Sequence, residues 1–129
     1  MSWIGVDLDG TLAEYDGWKG SHIIGKPIPL MVQRVKQWLA LGQEVRIFTA
    51  RVSQNGKYSP ESQRYADSKF VNEQRKLIQA WCQQNLGQVL AITNEKDFDM
   101  SELWDDRAVA VIKNTGRGCM GKDGKFIEL

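Results

Sequence analysis

Apolar positions along the chain change period several times, and each change marks an element. Trp3-Ile4-Gly5-Val6 is a short, partly β-branched apolar run ending at Asp7-Leu8-Asp9-Gly10, which predicts a buried strand. Met31, Val32, Val35, Trp38 and Leu39 then recur at helical spacing, with Pro29 near the first turn and Gly42 as the stop. Val45-Arg46-Ile47-Phe48-Thr49 predicts a second strand. A polar stretch follows, with a turn at Asn55-Gly56 and a helix cap at Ser59-Pro60-Glu61. Phe70, Val71, Gln74, Leu77, Ile78 and Trp81 trace one face of a second helix that ends at Gly87. Val89-Leu90-Ala91-Ile92-Thr93 predicts a third strand, followed by a short helical piece over 97–101. Leu103-Trp104 is a fourth apolar stretch, and Val109-Ala110-Val111-Ile112 a further strand. Asp123-Gly124, between Cys119-Met120 and Phe126-Ile127, predicts a small closing hairpin.

Strands alternating with helices predict an α/β fold, with right-handed crossovers, a parallel sheet and helices on both faces. In such sheets ligands bind outside the carboxyl ends of the strands. The polar residues of interest fall there: Asp7 and Asp9, then Thr49, Lys96, and Asp105 with Asp106. Residues two apart on a strand share a side, so Asp7 and Asp9 emerge together, and two such charges call for a cation. A hard, oxygen-seeking ion such as Mg²⁺ suits them. A β-hairpin turning at Asp9-Gly10 would explain that segment alone, but not the convergence of four strand ends. An EF-hand is excluded by the place of the glycine and the lack of a closing glutamate.

Composition narrows the setting. The chain has 129 residues, enough for one domain spanning 1–129. A net charge of +1 gives no global reason to expect nucleic acid or a membrane surface as partner. Cys82 and Cys119 form no disulfide or zinc pattern, no apolar run reaches membrane-spanning length, and no secretory leader is legible, so a cytoplasmic setting is expected. The loop over 12–28 carries Tyr15, Trp18 and His22 among glycines, which is rich for a mere connection.

A transferring phosphoryl group needs neutralised charge, a positioned nucleophile and a proton source. Asp7 could attack phosphorus, and Lys96 with a metal could balance the charge. Asp7-Leu8-Asp9-Gly10-Thr11, the threonine of Phe48-Thr49-Ala50-Arg51, the lysine of Asn94-Glu95-Lys96, and Trp104-Asp105-Asp106-Arg107 resemble, in order, the four motifs of the haloacid dehalogenase-like superfamily of phosphatases.

The resemblance implies a Rossmann-like three-layer sandwich with a mostly parallel central sheet, and a Mg²⁺-dependent phosphomonoesterase with an aspartyl-phosphate intermediate. Asp7 would be nucleophile and metal ligand. Asp9 would protonate the leaving group and then activate water, with its main-chain carbonyl on the metal. Thr49 would hydrogen-bond the phosphoryl, Lys96 would steady it and Asp7, and Asp105 with Asp106 would complete the metal site. Thr11, Ala50, Arg51, Trp18 and His22 are the expected substrate contacts, with Tyr15, Tyr58, Arg64 and Tyr65 lining the entrance. The gaps between motifs leave no room for a separate cap domain, and uncapped relatives tend to act on large substrates or borrow a lid from a neighbouring subunit of an oligomer; the aromatic loop residues favour a small phosphorylated molecule such as a nucleotide, with macromolecules open. Two alternatives remain: transfer to an acceptor other than water through the same intermediate, and a non-catalytic phosphate-binding protein of the same fold.

Overall fold

The computed structural model describes residues 2–53, 58–59, 64–65, 68–121 and 124–125, and the side chains of 58, 59, 64, 65 and 68 lie outside that description. The elements run β1 (Trp3–Asp7), α1 (Pro29–Ala40), β2 (Glu44–Phe48), a 3₁₀ turn (Ala50–Val52), β3 (Tyr58–Ser59), β4 (Arg64–Tyr65), α2 (Ser68–Leu86), β5 (Ala91–Thr93), β6 (Met100–Trp104), β7 (Ala110–Ile112) and β8 (Arg117–Met120).

Four strands form a parallel sheet in the order β5-β2-β1-β6. The α/β, Rossmann-like class expected from the alternation is therefore present. Among the described residues there is no separate cap; between β2 and α2 the described elements are the 3₁₀ turn and the two-residue β3–β4 ladder.

Alternation along the strands sorts side chains to two faces. Ile4 and Val6 of β1, Val45 and Ile47 of β2, and Ile92 of β5 form one face. They make a single core with Met31 and Val35 of α1 and Val71, Ile78, Trp81 and Cys82 of α2. Burying each large aliphatic side chain here contributes about 1.5–3 kcal/mol against the chain entropy of folding.

The expected layering needs one correction. The steps β1–α1–β2 and β2–α2–β5 move across the sheet in the same direction, so right-handed crossovers put both helices on one face, where they pack against each other. The other face is crossed by residues 94–99, which join β5 at one edge to β6 at the opposite edge. Asp97 of this segment accepts a 2.8 Å bond from Trp3 Nε1 and lies 3.6 Å from Arg46 Nη1, while the Arg46 guanidinium stacks 4.4 Å over the Trp3 ring. The helical piece expected over 97–101 is reduced to a single turn, in which Met100 N donates to the Asp97 carbonyl at 3.3 Å, and Met100 and Ser101 open β6.

Other expected boundaries shift. Helix α1 begins at Pro29, with the left-handed Gly42 (φ 83°) just past its end, as the spacing predicts. The third strand is shorter than its apolar run and starts at Ala91. Ser59 lies in β3 rather than capping α2, while Asn55-Gly56, Pro60 and Glu61 lie outside the described residues. Val111 and Ile112 do not join the parallel sheet: β7 pairs antiparallel with β8, so Cys119-Met120 has β7 for its partner, and Asp123, Phe126 and Ile127 lie outside the description.

Candidate active site

Strand register explains which side chains meet. Asp7 is level with Phe48, Phe48 with Thr93, and Val6 with Trp104, so Asp7, Thr49, Asn94 and Asp105 share one rim at the carboxyl ends.

The chain leaves β1 through a tight turn in which the Leu8 carbonyl accepts from the backbone N–H groups of Leu12 and Ala13. Gly10 sits there at φ 94°, and a Cβ on it would lie 2.6 Å from Asp106 Oδ2. Only glycine combines this backbone with so close a carboxylate. Thr11 then points back: its hydroxyl accepts from Asp106 N at 3.1 Å and lies 3.3 Å from Asp7 Oδ2 and 3.4 Å from Asp106 Oδ1. One hydroxyl proton serves two carboxylates, so Thr11 holds the acidic group together rather than standing free for substrate.

Asp7, Asp105 and Asp106 each bring one carboxylate oxygen within 4.8 Å of the others. Burial first, then the Asp105 charge, a hydrogen bond to Asp106, and the Asp106 and Asp9 charges push the Asp7 carboxyl up to about 8. Asp105 Oδ1 also accepts from Arg107 N at 2.9 Å, which turns the chain and lets adjacent aspartates face one site. An all-oxygen donor set under mutual repulsion fits a hard divalent cation such as Mg²⁺.

Asp9 takes a different place from its neighbour. Its carboxylate lies outside the three-aspartate group and is gripped at both oxygens by Arg51, Nε to Oδ2 at 2.8 Å and Nη2 to Oδ1 at 2.9 Å. Any share Asp9 has in holding a metal therefore falls to its main-chain carbonyl.

Thr49 is buried, and its Oγ1 accepts from Arg51 N at 3.1 Å, leaving the hydroxyl proton to donate. Ala50 follows in the 3₁₀ turn and borders the same hollow. That hollow, about 510 Å³, is lined by Asp7, Asp9, Tyr15, Trp18, Thr49, Ala50, Arg51, Phe70, Asp106 and Arg107. A second of about 280 Å³ shares Asp9, Tyr15, Trp18 and Arg51 with it and extends under the loop toward Lys19 and Lys26. A third, about 360 Å³, lies between Asp7, Ala50, Asn94, Asp105 and Arg107.

No family model matches the chain, and no curated protein matches it. Among solved structures, a conserved protein coded by a locus from Bacteroides thetaiotaomicron is similar, with a TM-score of 0.52 and 20% identity over 86% of this chain and 80% of that one. At that identity the likeness concerns the α/β fold alone.

Three expected site residues lie apart from the acidic group or have their donors committed within the protein. Lys96 is exposed and lines none of these hollows, and no cation figures among the causes of the Asp7 shift. The 94–99 crossover carries the chain from the rim to Asp97 beside Trp3, at the start of β1, within a few residues. Asn94 stands at the rim, and Arg107, which sequence reasoning passed over as a site residue, lines the hollow that Asp7 and Asp105 also line. His22 is exposed and lines none of the hollows either; its ring packs on Gly20. Arg51, expected to bind substrate, has every N–H committed within the protein. Trp18 and Tyr15 do line the hollows, whereas the side chains of Tyr58, Arg64 and Tyr65 lie outside the described residues. Among the described residues no helix is long and apolar enough to cross a membrane.

Proposed function

We propose that the protein is a Mg²⁺-dependent phosphomonoesterase working through phosphorylated Asp7. The observation that carries the reading is the convergence of Asp7, Asp105 and Asp106 on one rim beside buried Thr49. The four sequence motifs of the haloacid dehalogenase-like phosphatases add support.

In this reading Asp7, Asp105 and Asp106, with the Asp9 carbonyl, would hold the ion, and the ion would supply neutralising charge for the phosphoryl oxygens. Asp7 forms a bond from its carboxylate oxygen to phosphorus as the leaving oxygen departs. Asp9 gives that oxygen a proton, then takes one from the water that frees inorganic phosphate and restores Asp7. Thr49 donates its hydroxyl proton to a phosphoryl oxygen, and Arg107 adds positive charge at the mouth. Tyr15 and Trp18 border the leaving group, and hollows of about 510 and 280 Å³ suit a small phosphorylated molecule.

Release of phosphate from p-nitrophenyl phosphate tests the reading. Turnover should vanish in excess chelator and return with Mg²⁺; undiminished turnover in chelator would overturn it. The exposure of Lys96 favours a second reading, a phosphate-binding protein of the same fold without turnover. Mg²⁺-dependent phosphate binding with no turnover of any phosphomonoester would select it.

A further inference from the structure

Among the described residues Arg51 has the most heavily committed side chain, and nothing in the proposed chemistry uses it directly. Its side chain is 5% exposed, against 20% for Asp9. Nε and one Nη2 proton serve the two Asp9 oxygens at 2.8 and 2.9 Å. The other Nη2 proton goes to the Ile23 carbonyl at 2.7 Å. Nη1 serves the Ser21 carbonyl at 2.9 Å and Gln74 Oε1 at 3.0 Å. All five guanidinium donors are thus taken. Gln74, buried on α2, in turn donates from Nε2 to the Ser21 carbonyl at 2.8 Å. The Trp18 ring lies 5.1 Å from the Arg51 guanidinium carbon.

We propose that Arg51 is a positioning residue that fixes the Asp9 carboxylate and ties the 18–23 loop to it, so that proton transfer and the leaving-group pocket share one support. The inference rests on the phosphatase reading. A planar fork meeting both oxygens sets the carboxylate's direction as well as its place, which a lysine ammonium cannot do. Each Asp9 oxygen keeps a second lone pair for the proton it exchanges. The same guanidinium holds two main-chain carbonyls of the loop carrying Trp18, and Gln74 anchors both to the helix. Misplacing a proton-transfer group by about 1 Å costs up to about 10²-fold in rate.

The test compares Arg51→Lys and Gln74→Ala with wild type on an aryl phosphate and an alkyl phosphate, each also in an Asp9→Asn background. A nitrophenolate leaves with little help, whereas an alkoxide needs the proton. Arg51→Lys should lower the single-turnover rate of leaving-group release, which precedes the water step, by about 10- to 100-fold on the alkyl phosphate and by clearly less on the aryl phosphate. Gln74→Ala, which leaves the Asp9 pair in place, should show the same pattern more weakly and remains informative if Arg51→Lys does not fold. In the Asp9→Asn background neither change should cost more. Equal losses on both substrates, a change in KM alone, or a full further loss without Asp9 would overturn the inference while leaving the phosphatase reading intact. A wild type inactive on both substrates would overturn the two together.

Discussion

Replacing Asp105 with Asn should make the metal-free protein more stable in alkali, although it removes a charged group from a folded site. Asp7 and Asp105 place carboxylate oxygens within 4.8 Å of each other. At an effective dielectric of about 20, two unit charges at that separation repel by about 3.5 kcal/mol. Partial solvent exposure of both groups reduces this to about 1–2 kcal/mol. The sign depends on pH. The folded Asp7 carboxyl is pushed from 3.8 up to about 8, so ionising it opposes folding. That penalty is absent below about pH 4, grows as pH rises, and is complete only above pH 8. Asn keeps an acceptor for the Arg107 backbone N–H, so the turn at 105–107 survives the exchange. In chelator at pH 9, Asp105→Asn should therefore melt about 4–8 °C above wild type, and at pH 4 close to it. With Mg²⁺ present the order at pH 9 should shrink or reverse, because the variant has lost a ligand. Calorimetry at the two pH values, with and without the ion, reads this out. A variant no more stable than wild type at pH 9 in chelator would show that the three aspartates do not repel as their geometry requires.

Three further substitutions test the roles of Lys96 and of two glycines that the sequence makes look alike. Lys96→Met should change turnover of an aryl phosphate by no more than about threefold, because Lys96 is exposed and lines none of the hollows described at the rim; a loss of about 10²-fold would place it against the phosphoryl during reaction. Gly10→Ala should cost about 2 kcal/mol in chemical denaturation and at least about tenfold in Mg²⁺-supported turnover, since the new methyl would meet Asp106, whereas Gly42→Ala, with similar φ and open space around it, should cost about 1 kcal/mol and leave turnover unchanged. Equal effects of the two glycine changes on turnover would show that Asp106 is not held by this close approach.

Period-based reading found the parts of the fold whose signal is local. The strands at Trp3 and Val45 and both helices declare themselves through apolar spacing, and the carboxyl-end rule brought Asp7, Thr49 and Asp105 to one rim. Strand β6 was harder, because Met100-Ser101-Glu102 lies at a sheet edge and carries no apolar run. Lys96 is exposed on the β5–β6 connection, and its motif spacing says nothing of how far that connection must travel. That distance follows only once β5 and β6 occupy opposite edges. Arg51 escaped in another way: three of its five acceptors are main-chain carbonyls and a glutamine that sits within an otherwise apolar stripe. Gln74 reads as a helix-face residue in the sequence and proves to be a buried polar anchor.

The central claim is that Asp7 carries the phosphoryl group, and trapping that group measures it directly. Protein mixed with Mg²⁺ and p-nitrophenyl phosphate would be quenched in acid within the first turnover and its peptides mapped. The account predicts one phosphoryl group, labile to hydroxylamine as an acyl phosphate is, on the peptide bearing Asp7. Chelator or Asp7→Asn should abolish it. Sustained phosphate release with no label on Asp7, or with Asp7→Asn still active, would contradict it.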